Sequence, residues 1–282
     1  MQQIAERIYV ETTYYGGNVG CVITEKGPIL IDTPMLPRES RHWRDQISRL
    51  TSFPVRYIIN TDYREEHILG NSFFDAPVIG HELMWERISG YGDGFWQQMA
   101  SLLEPIDVEA AAEIEQSKLV LPRITFTERM IVFTGTSPLR LIHLGGHTPA
   151  TIAVYLPDEQ IAFIGNNVVW DVLPVLTQAD TRQWLQALTV IRKMRVKTLV
   201  PGHGPVCDTS VTHSLSRYLR LIRDRVRRHF QAGRSKSELS SLVAELVDAF
   251  PVSDAEQDGL RSRIKANLDR VYDEMKSQQR QK

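Results

Sequence analysis

Only two cysteines occur in 282 residues, Cys21 and Cys207, too few for a disulfide-stapled framework. They lie in different motif regions and read as two separate thiols, consistent with a reducing, cytoplasmic location. No run of 18 or more apolar residues is present, so no membrane-spanning helix and no membrane partner are expected. The opening residues MQQIAER hold no apolar stretch of the kind a secretory leader needs. Neither sign of charge dominates: 33 Lys and Arg face 34 Asp and Glu, for a net charge of -1. That balance gives no global pull toward nucleic acid, so any charged partner must be recognised locally. Repeats and low-complexity stretches are missing as well.

What is present is ordinary for a globular protein: 42% hydrophobic and 24% charged residues, in a chain long enough for one large domain with an appendage. Residues 7–12 and 19–24 cluster β-formers on either side of Gly16-Gly17-Asn18, which predicts a hairpin. Residues 29–33 and 55–60 are short apolar strands with polar ends, and 38–50 between them has helical spacing through Trp43, Ile47 and Leu50. Residues 82–117 break the strand rhythm and predict two helices joined by a glycine-rich turn at 89–94. This stretch is expected to form a helical insertion or lid, with Trp85, Tyr91, Phe95 and Trp96 as its aromatics. Strands resume over 124–126, 130–133, 139–143, 151–156 and 161–164. A helix over 181–195 leads to a strand at 198–200, and the chain is helical beyond 210. Arg223, Arg225, Arg227 and Arg228 on that tail read as a solvated basic face.

Three fragments place metal-capable side chains just after apolar strands. They are the run from Asn60 to Asn71, the run Gly145-Gly146-His147-Thr148, and Pro201-Gly202-His203-Gly204. Glycine beside histidine lets the backbone turn sharply and presents the imidazole at the strand end. In this order and at these separations the fragments resemble the metallo-β-lactamase superfamily. The segment from Asn18 to Thr33, with its strand ending in aspartate, and the segment from Phe163 to Asn166 resemble further motifs of that family. The resemblance implies a four-layer αββα sandwich, an α/β fold, over residues 1–208, with a helical C-terminal extension over 209–282 packed on it.

It also implies a two-metal site, and here the sequence departs from the pattern. The motif that supplies histidine, any residue, histidine, any residue, aspartate and histidine falls on Asp62, Tyr63, Arg64, Glu65, Glu66 and His67. The bridging aspartate falls on Asn166. The first metal position would hold Asp62, Arg64 and His147, and an arginine has only donors and a permanent charge. That position is expected to lack metal, with Arg64 paired to Asp62 or Glu66. The second position keeps its chemistry in Glu66, His67 and His203, a set suited to one divalent metal, zinc first and iron next. The resemblance therefore implies a hydrolase acting on a small ester, thioester or lactam, with Arg64 and Asn166 as candidate catalytic groups that steady developing negative charge. The alternative is a metal-free, non-catalytic ligand-binding member. His42, His81, His143, His213 and His229 read as structural or surface residues, with His143 the nearest to the constellation.

Overall fold

The computed structural model describes residues 1–92, 94–135, 137–170, 172–247 and 254–280, with the backbone course alone for 254–258. Asp93, in the glycine-rich turn read from the sequence, lies outside them. Seven strands form the first sheet in chain order: β1 (Gln2–Ala5), β2 (Ile8–Glu11), β3 (Val19–Val22), β4 (Ile29–Ile31), β5 (Tyr57–Ile59), β6 (Val78–His81) and β7 (Ile124–Phe126). β1 to β4 pair antiparallel and β4 to β7 pair parallel. The second sheet runs β12-β11-β10-β9-β8, from β8 (Arg129–Phe133), β9 (Pro138–His143), β10 (Ile152–Leu156), β11 (Ile161–Phe163) and β12 (Thr198–Val200). The β1 strand was not expected, because its Gln2 and Gln3 have no apolar alternation and only its pairing with β2 makes it a strand.

The two-residue period of a strand separates the layers. In β4, Ile29 and Ile31 face the second sheet while Leu30 faces outward onto Trp43 and Ile47 of helix α1 (Pro37–Ser48). In β10, Ile152, Val154 and Leu156 enter the core between the sheets, and Ala153 turns to the opposite face under Trp184 of α6 (Thr181–Lys193). Helices thus cover both outer faces of a paired-sheet core, the αββα arrangement. Four strand ends matter for function, those of β4, β5, β11 and β12. In parallel pairing the chain leaves such ends on the same side of each sheet, where ligand crevices form.

Where two helices were expected over 82–117 there are three: α3 (Glu82–Ser89), α4 (Gly94–Leu103) and α5 (Val108–Glu115). The break falls where the Asp107 side chain accepts the Ala110 N–H at 2.9 Å, capping a new helix. A small core of Leu36, Leu69, Met99, Leu103 and Ile114 ties α4 and α5 to the molecule.

The C-terminal helices α7 (Val211–Gln231), α8 (Val243–Val247) and α9 (Asp254–Arg280) share one core with α6 and the second sheet, through Leu215, Leu219, Ile264 and Leu268. Polar groups reinforce that contact. Asn267 accepts from the Leu176 N–H and donates to the Pro174 carbonyl, both at 2.8 Å. Glu274 accepts from the Thr181 N–H at 3.0 Å and from its hydroxyl at 2.7 Å, and it also pairs with Arg223. The tail arginines keep a solvated face at Arg227 and Arg228, with an acid beside them, and depart from it at Arg223. Arg223 is turned inward, Arg225 meets Glu245, and Arg227 and Arg228 flank Asp224. Both cysteines are free thiols. Among the described residues no helix is long and apolar enough to cross a membrane.

Candidate functional site

The chain leaves β5 at Asn60 and reaches Asp62, which has no exposed surface. A buried carboxylate needs acceptors filled, and each oxygen of Asp62 receives two donors. Oδ1 takes the Tyr63 N–H at 2.6 Å and the Thr148 hydroxyl at 2.9 Å. Oδ2 takes the Thr151 hydroxyl at 2.8 Å and His147 Nδ1 at 3.1 Å. Burial pushes this carboxyl up, yet the His147 bond and charge, with help from His67 and Thr151, outweigh it and hold the group below the usual range. Asp62 and His147 are thus committed to one another.

The short helix α2 (Glu65–Ile68) carries Glu66 and His67, with Arg64 at its start. Arg64 does not reach Asp62 for an ion pair. Its Nη2 lies 3.1 Å from Glu65 Oε1 and its Nε 3.6 Å from Glu66 Oε2. Asn166, in the tight turn after β11, donates from Nδ2 to Glu66 Oε1 at 2.9 Å. One oxygen of Glu66 thus faces a fixed cation and the other an amide. Burial raises the Glu66 carboxyl, but the charges of His67 and Arg64 bring it below its normal value.

His67 is fully buried, with Nδ1 3.0 Å from Asp32 Oδ2 and no partner for Nε2 among the described residues. Burial alone would lower this imidazole, but Asp32, then Glu66 and Asp62, lift it to about 9. Asp32 is held for the task. Its backbone is in the left-handed region at φ 56°, sparsely used by a non-glycine residue, and its carboxylate accepts from the Thr61 N–H and hydroxyl at 2.7 and 2.6 Å. His203 behaves oppositely: burial pushes its imidazole down to about 4 against the pull of Glu66.

Several residues that the sequence did not single out hold these loops. The Asn18 side chain donates to the Pro201 and Gly204 carbonyls at 2.9 and 2.7 Å, fastening the His203 loop to the first hairpin. Asn167 accepts from the His147 N–H at 2.9 Å and donates to the Gly145 carbonyl at 2.7 Å. Gly202 is required where it stands, since a Cβ would lie 2.1 Å from Asn166 Oδ1 and 2.8 Å from its amide nitrogen. Asp32 had a signal in its place at a strand end, and Asn18 one in its glycine turn. Thr148 lies inside the 145–148 motif fragment, whereas nothing local marks Asn167 or Thr151. Beside the site, Tyr91 and Phe95 stack at 4.4 Å with Arg87 over the Tyr91 ring. Tyr91 packs against the core cluster that holds Tyr63, the residue before Arg64. His143 is not part of the cluster: its ring stacks on His81 at 3.8 Å and its Nε2 donates to the Pro149 carbonyl.

The family's own model, the metallo-beta-lactamase superfamily, matches residues 12–203. The chain belongs to the metallo-β-lactamase superfamily. A linear primary-alkylsulfatase of a Pseudomonas strain is 22% identical over 236 residues, 71% of this chain and 43% of the relative. The chain therefore spans less than half the length of the curated relative it matches. Among solved structures, a metallo-beta-lactamase from Pontibacter korlensis superposes with a TM-score of 0.60 at 23% identity, covering 78% of this chain and 97% of its own. A stereoselective inverting sec-alkylsulfatase from a Pseudomonas species reaches 0.71 at 14% identity, covering 96% of this chain and 49% of its own.

Membership in this superfamily makes metal the first thing to test against these residues. Among the described residues, no three His, Cys, Asp or Glu side chains gather into a group able to hold a metal ion. At the first position Asp62 is saturated, with His147 Nδ1 as one of its four donors, and Arg64 brings a permanent cation to the same loop. At the second, Glu66, His67 and His203 share one electrostatic field, but Glu66 is engaged by Arg64 and Asn166. As arranged, the side chains do not fit the superfamily's metal centre.

Proposed function

We propose that this superfamily member binds a small molecule in its strand-end cleft without a resident metal. The observation that carries the reading is the Arg64–Glu66–Asn166 cluster. A metal ion draws its affinity from carboxylates and neutral imidazoles that have no better partner. Here the carboxylate has a guanidinium on one oxygen and an amide on the other. Recruiting it would set a dication beside a fixed positive charge, a repulsion that the partly buried setting screens weakly. Arg64 then supplies locally the positive charge that a metal would bring, as a hydrogen-bond donor in place of a Lewis acid.

One observation favours a second reading, a one-metal hydrolase with zinc or iron on Glu66, His67 and His203. The His67 ring has Nδ1 against a carboxylate and Nε2 unengaged, the orientation in which outer carboxylates commonly hold a metal-binding imidazole. Its substrate class would be an ester, thioester or lactam, or a sulfate ester of the kind named for the alkylsulfatase relatives. Metal analysis decides between them. The full chain is purified without chelator from cells supplemented with zinc, then with iron. Less than a tenth of an equivalent supports the metal-independent reading. About one equivalent, lost in His203→Ala together with hydrolysis of an activated ester, would replace it with the second.

A further inference from the structure

We infer that the cleft takes a ligand with an uncharged hydrogen-bonding head and an apolar tail, the head on the floor at Arg64 and His67 and the tail along a rim formed by Trp170 and the Tyr91–Phe95 stack. This rests on the metal-independent reading above.

The floor sets the head. His67 Nε2 is completely buried and has no partner among the described residues, and Arg64 Nε is buried with no aligned acceptor. Buried polar atoms of native proteins are nearly always matched, and among the described residues His67 Nε2, Arg64 Nε and Asn166 Oδ1 at this one site are not, which points to a group that arrives from outside. Charge then narrows the class. Glu65, Glu66, Asp62 and Asp32 surround Arg64 and His67, and Arg64 already serves the first two. An anionic head would meet this concentration of carboxylates. An ammonium head would meet the guanidinium, and its donors would find the nearest carboxylate oxygens taken. A primary amide or hydroxyl carries no charge and can both accept and donate, so it matches His67 Nε2 and its neighbours Arg64 Nε and Asn166 Oδ1 together.

The rim sets the tail. The segment after Asn166 carries three apolar side chains in solvent: Trp170 at 38%, Val172 at 48% and Val175 at 38% exposed. The described residues Trp170, Pro174 and Leu176 are fastened: the Trp170 N–H donates to the His203 carbonyl at 3.0 Å, and Asn267 grips Pro174 and Leu176 from α9. Apolar side chains held in water by such anchors beside a polar floor form a binding surface with little left to order. On another flank stands the Tyr91–Phe95 stack, with Tyr91 packed against the cluster of Tyr63, the residue before Arg64.

The test uses calorimetric titration of the full chain with four probes: octanamide, butanamide, octanoate and octylammonium. Octanamide is expected to bind at least tenfold more tightly than either charged probe of equal length. It should exceed butanamide by tenfold or more, because each fully buried methylene is worth roughly fourfold. Trp170→Ala should flatten the difference between octanamide and butanamide, and Trp170→Phe should restore it. Tightest binding of octanoate or octylammonium overturns the uncharged head. Equal affinity for the two amides overturns the apolar tail. No binding by any probe, in protein shown to hold no metal, overturns the whole inference and leaves the metal-independent reading standing. Near-stoichiometric metal in the same preparation instead removes the reading on which it rests.

Discussion

Replacing Asp62 with alanine separates a structural acid from a metal ligand. In the folded protein its two oxygens take four donors: the Tyr63 N–H, the hydroxyls of Thr148 and Thr151, and His147. All four donor residues are buried, so removing the carboxylate strands their donors in a place that water does not reach. Each stranded donor costs about 1–3 kcal/mol. The costs do not add fully, since the two threonine hydroxyls lie 3.1 Å apart and can turn to each other. A net loss of roughly 3–5 kcal/mol is expected, which is a large share of the ~5–15 kcal/mol that keeps a domain folded. Asp62→Asn keeps one oxygen for Tyr63 and Thr148 and should lose about 1–3 kcal/mol. The assay is urea unfolding of both variants and the parent, followed by far-ultraviolet circular dichroism, with and without EDTA. A structural role makes the loss identical in the two buffers. If Asp62→Ala costs less than about 1 kcal/mol, or if its cost disappears when the parent is stripped by EDTA, Asp62 does not do what its hydrogen bonds imply.

Further outcomes follow from other parts of the same structure. The combined change Asp62→His, Arg64→His and Asn166→Asp removes the fixed cation and adds imidazoles and a bridging acid. Zinc stoichiometry should rise toward one or more in whatever fraction folds, as measured by elemental analysis. Asn267→Ala removes the side chain that grips Pro174 and Leu176, and should cost about 2–3 kcal/mol in urea unfolding while exposing the 170–180 segment to protease. His81 is lowered by burial and by the charge of His143 stacked on it. Its unfolded form therefore binds a proton at a higher pH than its folded form does, and stability present above pH 6.5 is lost as pH falls below it. His81→Asn, which keeps the helix cap made to the Leu83 N–H, should flatten the dependence of the urea midpoint between pH 7.5 and 5.5. An unchanged slope would remove His81 as its source.

Most of the architecture was legible because it is written in local periodicity. Ile29, Leu30 and Ile31 alternate between two cores as a strand must, and Trp43 and Ile47 lie one helical turn apart on one face. The strand-end motifs were legible for the same reason, being short fragments of fixed order. The partners inside the site were harder to read. Arg64 was expected to pair with Asp62 or Glu66, and it turned to Glu66 and its neighbour Glu65. The reason lies 86 and 89 positions away, where Thr148 and Thr151 had already filled Asp62. Thr148 stands in a motif fragment but with no sign of its partner, and Thr151 looks like an ordinary loop threonine, as Asn267 and Glu274 look like ordinary surface residues of a charged helix.

That difference bears on what a departed motif means. Substituting four ligand positions in a two-metal site could leave a damaged site, with buried charges left unmatched. Here Asp62 has two threonine hydroxyls and His147, Glu66 has Arg64 and Asn166, and the loops are fastened by Asn18 and Asn167. Unmatched burial of so many acids would cost more stability than a domain of this kind holds, so acids at these positions require such partners. Against that background of matched groups the unengaged Nε2 of His67 is informative, because every carboxylate around it has found partners within the chain. With Arg64 Nε and Asn166 Oδ1 also open beside it among the described residues, the unmatched atoms gather at one place while the surrounding acids are paired, which is the observation that motivates the proposed ligand.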